Sequence, residues 1–195
     1  SAQLGGRPVE FTLGAKVRQD EIDMVGLQLT AARQRLTTIR EDSVTQRAAA
    51  AYAEAALRAT DWLRVVAGVR ADWMNVDVSS DTPANSGSAD DAIVTPKFSA
   101  VFGPWARTEF YANYGEGFHS NDARGATIRV NPDPRDPEFG NPVDPVPLLV
   151  RARGEEVGVR SVPVRGWQTS LALWRLKLES ELVFVGDAGT TEANR

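Results

Sequence analysis

The 195-residue chain contains no cysteine and a single histidine. The first absence removes disulfide frameworks, thiolate nucleophiles and cysteine metal sites together, and leaves the redox compartment open. Lysine and arginine total 22 against 26 acidic residues, a formal charge of -4. With no positive excess there is no field to hold a phosphate backbone, so nucleic acid is not an expected partner. No uninterrupted apolar run approaches the ~20 residues that a membrane-spanning helix needs. The N-terminal SAQLGGRPVEF also lacks the charged-then-apolar pattern of a leader segment. These absences exclude a helical membrane protein but not a barrel, whose strands alternate and escape any averaging of hydropathy.

What the chain does have is a period of two. In residues 9–18, Val9, Phe11, Leu13, Ala15 and Val17 alternate with Glu10, Thr12, Gly14, Lys16 and Arg18, the pattern of a strand with one apolar face. Residues 62–78 hold the alternation longest, with Leu63, Val65, Ala67, Val69, Ala71 and Trp73 on one side and Arg64, Val66, Gly68, Arg70 and Asp72 on the other. Shorter copies follow at 96–102, 108–115, 156–160 and 168–173, and the phase slips after Arg175, which predicts a bulge before residues 182–185. The alanines of TQRAAAAYAEAALRA, residues 45–59, favour helix on propensity alone. Yet Ala49, Ala51, Ala53, Ala55 and Leu57 keep the apolar phase, and the short Thr60-Asp61 junction feeds the best strand, so placement predicts a strand.

Thr60-Asp61, Gly103-Pro104 and residues 163–166 have the composition of tight turns. Residues of roughly 20–42, 79–92 and 119–150 read as long polar loops. Short and long links alternate, which puts every long loop at the same end of an antiparallel sheet. Such loops are out of place in a compact soluble domain. An outer-membrane barrel has this asymmetry, with short periplasmic turns and long extracellular loops. Trp62, Trp105 and Trp167 each stand beside a tight turn, where an interfacial aromatic belt lies. From Leu63 to Trp73 the strand rises ~33 Å, which a tilt of ~40° projects to ~25 Å, the height of a barrel's apolar band. The competing fold is a soluble β-sandwich, whose strands are usually ~5–6 residues long. The expected fold is all-β: an antiparallel transmembrane β-barrel portion of about seven strands, one partial barrel domain over residues 1–195.

The stretches RVVAGVRADW, TPKFSAVFGPW, EFYANYGEGFHSNDARG, EEVGVRS and SLALWRLKLESELVFVGDAG resemble consecutive barrel strands of TonB-dependent outer-membrane receptors. The likeness runs from about Val9 onward and is most specific over residues 110–125 and 168–189. It implies a place in a barrel of ~22 strands closed by a plug. It further implies residence in the cell outer membrane and import of a scarce nutrient such as a ferric siderophore, driven by TonB. The implied partners are outer-membrane lipid, the TonB complex through the plug, and a small-molecule or metal-chelate ligand, with no catalysis and no cofactor. Neither a plug nor a TonB-contacting segment is found in these residues, so the expectation is an internal or C-terminal portion of a receptor. An open sheet in lipid leaves edge groups unsatisfied, so this portion is not expected to seal a pore alone. A passive porin and a soluble β-sandwich binding module are the alternatives.

The stretch YANYGEGFHSNDARG, residues 111–125, carries the lone histidine. His119, Ser120 and Asp122 are too close along the chain to wrap into nucleophile, base and orienting acid. His119 and Asp122 supply two ligands where a transition metal wants three or four. Neither a catalytic nor a metal site is expected; the stretch reads as a strand's exit into a loop, with His119, Asn121, Asp122 and Arg124 as candidate ligand contacts. Downstream, NPDPRDPEFGNPVDPVP, residues 131–147, sets Asp133, Asp136, Glu138 and Asp144 among six prolines. That composition suits a stiff solvated loop, with a ligand lid or a weak calcium site as its functional readings. The inward charges Arg64, Arg70, Asp72, Lys97, Glu156 and Arg160 are expected to satisfy one another along a lumen wall.

Overall fold

A computed structural model describes residues 2–185 and 190–194. The alternating segments become strands β1 (Ala2–Leu4), β2 (Arg7–Ala31), β3 (Gln34–Arg58), β4 (Leu63–Ser80), β5 (Gly87–Trp105), β6 (Thr108–Ser120), β7 (Leu149–Val164) and β8 (Trp167–Leu178). They pair in that order as one antiparallel eight-stranded sheet. Seven strands are long; β1 is a three-residue edge piece. The last two strands, β9 (Glu181–Val185) and β10 (Thr190–Asn194), form a separate hairpin. A short helix, α1 (Ala123–Thr127), lies in the link between β6 and β7. The sheet is not closed: among the described residues β8 pairs only with β7, and β2 beyond Val9 pairs only with β3.

The alanine-rich segment is strand throughout. Ala49, Ala51, Ala53 and Ala55 are paired on one side with Val17, Ala15, Leu13 and Phe11 and on the other with Trp73, Ala71, Val69 and Ala67. Two complete ladders outweigh a helix propensity worth only a few tenths of a kcal/mol per residue, of order ~0.5.

Several connections differ from the sequence expectation. Residues 20–42 are not a loop but the far half of a hairpin of two 25-residue strands. It closes at Ala32 and Arg33, whose φ of 47° and 66° give the left-handed pair that a two-residue hairpin turn requires. Register shifts at Ile22/Val25, Leu27/Gln28 and Leu29/Thr30 break the alternation there. The 79–92 link shrinks to residues 81–86, with a 3-10 turn at Pro83–Asn85; its polar flanks are strand beyond the apolar band. Only residues 121–148 form a long loop. Gly103-Pro104 is not a turn either: β5 runs through it with a register shift between Phe102 and Trp105. The turn is Ala106-Arg107, with φ of 49° and 63°. The irregularity expected between Arg175 and residues 182–185 is a break between strands rather than a bulge within β8: the β7–β8 ladder runs unbroken from Ser161↔Thr169 to Ala152↔Leu178 and the strand ends there, before β9.

Near the long-loop rim the inner face is apolar. Val44, Met74, Val76, Val78 and Ile93 form a buried cluster with Ala123, Ala126, Leu148 and Leu149. The β6–β7 loop therefore folds back over β3–β5 and covers them.

Candidate functional site: two faces of one wall

In antiparallel pairs, directly opposed residues point the same way. The registers therefore merge the alternating rows into one continuous face. Phe11, Ala55, Ala67, Phe98 and Tyr114 form one cross-strand row. Val9, Leu57, Val65, Ala100, Ala112, Val157 and Leu173 form the next. The face is strongly solvent-exposed, with Val69 at 47%, Phe98 at 48%, Leu13 at 78% and Leu173 at 70%. No second sheet covers it among the described residues, which is where a β-sandwich would have put one. At the short-turn rim Trp62 stacks on Phe102 at 6.5 Å and on Trp105 at 6.3 Å, and Trp105 meets Phe110 at 6.5 Å. Trp167 stands beside the last tight turn, opposite Val164.

The upper limit of this face is a staircase. Its last apolar residues are Val17 on β2, Ala49 on β3, Trp73 on β4 and Ala92 on β5, all in one row. On β6 the unbroken apolar run ends at Tyr114, in the Phe11 row, and on β7 and β8 at Val157 and Leu173, in the Val9 row; farther up in the same phase Phe118 and Leu149 pack into the cluster under the loop. The next residues in phase are Gln19, Arg47, Asn75, Asp90, Glu116, Glu155 and Arg175, every one polar. From Val17 to Val9 is eight residues, ~26 Å along a strand, and β2 to β8 is six spacings, ~29 Å across the sheet. The fall comes in one main step between β5 and β6; taken end to end, ~26 Å over ~29 Å averages about 42° to the rows, comparable with the ~35–45° by which barrel strands tilt in a membrane. A horizontal slab of hydrocarbon cuts tilted strands along such a line.

The opposite face is polar and internally paired. Arg64 and Arg160 both bind Glu109, the latter at 2.6 Å. Arg70 chelates Asp72 through two hydrogen bonds of 2.7 and 2.6 Å, and Asn113 donates to Glu156 at 3.1 Å. Lys97 on β5 reaches Glu54 on β3 across Gly68, the intervening residue of the same row. A Cβ at Gly68 would lie 2.8 Å from the lysine Cε, so this glycine keeps the path of the ion pair open. Tyr52, Glu54, Arg70, Thr95 and Lys97 contribute to a cleft of about 280 Å³ beside the gap between β5 and β6, which Glu116 also lines.

Pairing between β5 and β6 stops at Lys97↔Gly115, where Pro96 has no N–H to continue the ladder. Above that point side chains replace the strand. Arg151 on β7 donates to Val94 O at 2.9 Å and pairs with Glu116, while Asp91 accepts from Ala92 N at 2.8 Å and Leu149 N at 3.1 Å.

The candidate contacts sit together at the neck of the β6–β7 loop, engaged with one another and the frame. His119 is the penultimate residue of β6, opposite Val150. Asn121 clamps the neck, its N–H donating to Leu148 O at 2.9 Å and its side-chain amide to Pro147 O at 2.7 Å. Asp122 caps α1 by accepting from Arg124 N at 2.9 Å and holds the Arg124 guanidinium at 2.6 Å. Burial works against the Asp122 carboxylate, but the Arg124 side chain and N–H outweigh it and hold the carboxyl below its usual range. Arg124 also lies 3.8 Å from the buried Asp42, which Arg40 holds at 2.5 Å.

Farther along the loop, Asp133 accepts from Arg135, and Asp136 accepts from Glu138 N. The acids do not converge: among the described residues no three His, Cys, Asp or Glu gather into a cation site. The principal anchor escaped the sequence reading. Asn85, fully buried at 0% exposure, accepts from the N–H groups of Arg129 at 2.8 Å and Val130 at 3.0 Å and donates to Val130 O at 3.0 Å. Its only sequence signal was a turn composition, Thr-Pro-Ala-Asn-Ser, in a stretch read as solvent loop.

The model of the family described as TonB dependent receptor-like, beta-barrel, matches residues 3–194. The chain belongs to this family. Among curated proteins, no sequence matches it. TonB-dependent receptor barrels form an outer-membrane family of receptors and transporters, not an enzyme family. The two faces of this chain suit that setting: one for hydrocarbon, one for a wet interior.

Proposed function

We propose that the chain is a section of barrel wall from an outer-membrane importer that takes up a scarce nutrient, such as a ferric siderophore, with energy delivered by TonB. The staircase carries this reading: a polar boundary inclined at the tilt of barrel strands is a consequence of embedding in a bilayer, and a soluble protein has no cause for it. The stapled inner charges supply a wall that is wet yet electrostatically quiet, suited to passage rather than tight binding. Within such a receptor, His119, Asn121, Asp122 and Arg124 brace the β6–β7 loop at the mouth, from which its exposed stretch around Phe139 reaches the ligand.

The test is uptake of a radiolabelled ferric chelate by iron-starved cells carrying or lacking the gene that encodes this chain. Uptake that requires the gene and stops on dissipating the proton gradient supports the importer. Uptake that persists without the gradient describes a passive porin, and gene-independent uptake across a panel of chelates removes the siderophore assignment.

A further inference from the structure

We infer that the upper part of the β6–β7 hairpin, residues 116–153 with the loop it carries, is a two-position gate: folded against the inner face in this structure, and able to zip into the wall along the free edge of β5. The inference rests on the barrel-wall reading above but not on the cargo. Two edges of one sheet face each other here without bonding. β5 starts at Gly87 and β6 reaches Ser120, yet among the described residues their ladder ends at Lys97↔Gly115. In an antiparallel strand alternate residues turn both backbone groups to the same side. The side-chain bonds to Ala92 N and Val94 O show that these two residues turn theirs toward β6. Continued in register, Val94 would oppose Phe118 and Ala92 would oppose Ser120.

The arm lies inside because its apolar side chains do. Phe118 and Leu149 have the phase of the outward Tyr114 and Val157, yet both pack with Val44, Met74, Val76 and Ile93, whose phase is inward. An outward-phase side meets an inward-phase one only if the arm has stepped behind β3–β5 as an inner layer. It is held there by Asp91 to Leu149 N at 3.1 Å, by Arg151 to Val94 O at 2.9 Å, and through the loop by Asn85. Zipping would exchange the Arg151 and Asp91 side-chain bonds for backbone bonds from Phe118 and Ser120, and would uncover the apolar cluster. Each position thus satisfies groups that the other leaves open. The junction is built to bend. Gly115 faces Gly154 across the ladder, with Gly117 just above. A Cβ at Gly115 or Gly117 has nothing within 4 Å, and one at Gly154 meets only Gly115 O at 3.8 Å. With no side chains to lock it, this glycine row lets the arm turn. Pro96, next to the fork, has no N–H to give the first new bond, which holds the zipper open in the docked position.

The experiment uses the intact receptor in lipid vesicles with pairs of introduced cysteines, since the 195 residues contain none. Asp91→Cys with Leu149→Cys reports the docked arm, where these residues touch. In the zipped arm they stand two strand spacings apart, ~9.5 Å, beyond the reach of a disulfide. Ala92→Cys with Ser120→Cys reports the zipped arm, in which they are direct partners at ~5.5 Å. Asp90→Cys with Ser120→Cys is the off-register control, ~7–8 Å apart when zipped. Each pair is oxidised with and without Asn85→Ala, which frees the loop from the wall. In the Asn85→Ala background the zipped pair is expected to cross-link on the order of ten-fold faster and the docked pair more slowly, with the control pair unchanged. Retention of the heat-resistant folded band on a gel shows that each variant keeps its barrel. A zipped pair that is not accelerated means an arm that is fixed or only detaches, and equal acceleration of the control pair means free motion without pairing. Either result overturns the gate. A receptor recovered in the aqueous fraction would overturn the wall reading itself, a result separable from the cross-linking rates.

Discussion

Placing a lysine at Val69 and, separately, at Val66 tests which face of the wall meets hydrocarbon. Val69 is outward, four residues from Trp73 and six from Leu63, the ends of the apolar row on β4. At ~3.3 Å per residue and ~40° of tilt it lies ~10 Å below the upper limit and ~15 Å above the lower one, close to the bilayer midplane. A lysine there costs about 2–4 kcal/mol. Val66 is three residues away but inward, opposed to Ala56 and Ser99, where an ammonium stays hydrated; its substitution is expected to cost less than about 1 kcal/mol. The assay is reversible urea unfolding of the intact receptor from lipid vesicles, followed by tryptophan fluorescence. Asn75→Lys, just above the staircase, serves as the headgroup control and is expected to be near neutral. Equal costs for Val69→Lys and Val66→Lys, or a larger cost inside, would refute the assignment of faces.

Asn85→Ala removes three hydrogen bonds and leaves the Arg129 and Val130 N–H groups without their acceptor, weakening the docked loop by about 2–3 kcal/mol; trypsin cleavage at Arg135, read by mass spectrometry, should accelerate by more than ten-fold. Asp122 has a folded pKa below its unfolded value, because Arg124 outweighs burial, so its contribution is fully present above the unfolded pKa and is lost as pH falls through the folded one. The wild-type loop should thus become protease-sensitive as the pH drops below ~4, whereas Asp122→Asn should show a weaker neck with no such acid step. Pepsin susceptibility between pH 5 and about 2 measures this. A Cβ at Gly158 would sit 2.7 Å from Leu171 O and 2.4 Å from the Tyr111 ring, while one at Gly115 has nothing within 4 Å. Gly158→Ala is therefore expected to lower barrel stability by about 1–3 kcal/mol and Gly115→Ala to leave the urea midpoint nearly unchanged.

The parts of the fold that were legible in the sequence are those in contact with lipid. Hydrocarbon imposes strict alternation on the outward row, so Val9 to Val17 and Leu63 to Trp73 announce themselves, and even the alanines of β3 hold phase. Beyond the membrane that pressure ends. Toward its tip the β2–β3 hairpin is exposed on both sides, its bulges scramble the period, and Met24, Leu27 and Leu36 stand exposed among charges, while Ile39 and Val25 nearer the wall are covered. Such a ribbon has the composition of a loop although most of its backbone is paired. Gly103-Pro104 misled for a related reason: turn residues also serve register shifts inside a strand.

The neck residues were read as one polar group at the exit of β6, and the cap that Asp122 makes on α1 was not read from the sequence. Their partners were not legible, because Asp42 and Pro147 lie far from them along the chain; the same distance hid the bond of Asn85 to Arg129 and Val130. Nor does composition reveal that the inner face under the loop is apolar: Met74, Val76 and Val78 continue the alternation of β4 in the opposite phase, and only the folded loop shows what they cover.

The tall β2–β3 hairpin has a consequence for anything approaching from outside. From Val17 to Ala31 is fourteen residues, roughly 45 Å of ribbon measured along the chain. Residues 30–37 at its tip are exposed throughout. A molecule arriving from solution on the long-loop side would touch this mast before it reached the wall, and a peptide tag spliced between Ala32 and Arg33 would stand at its exposed tip.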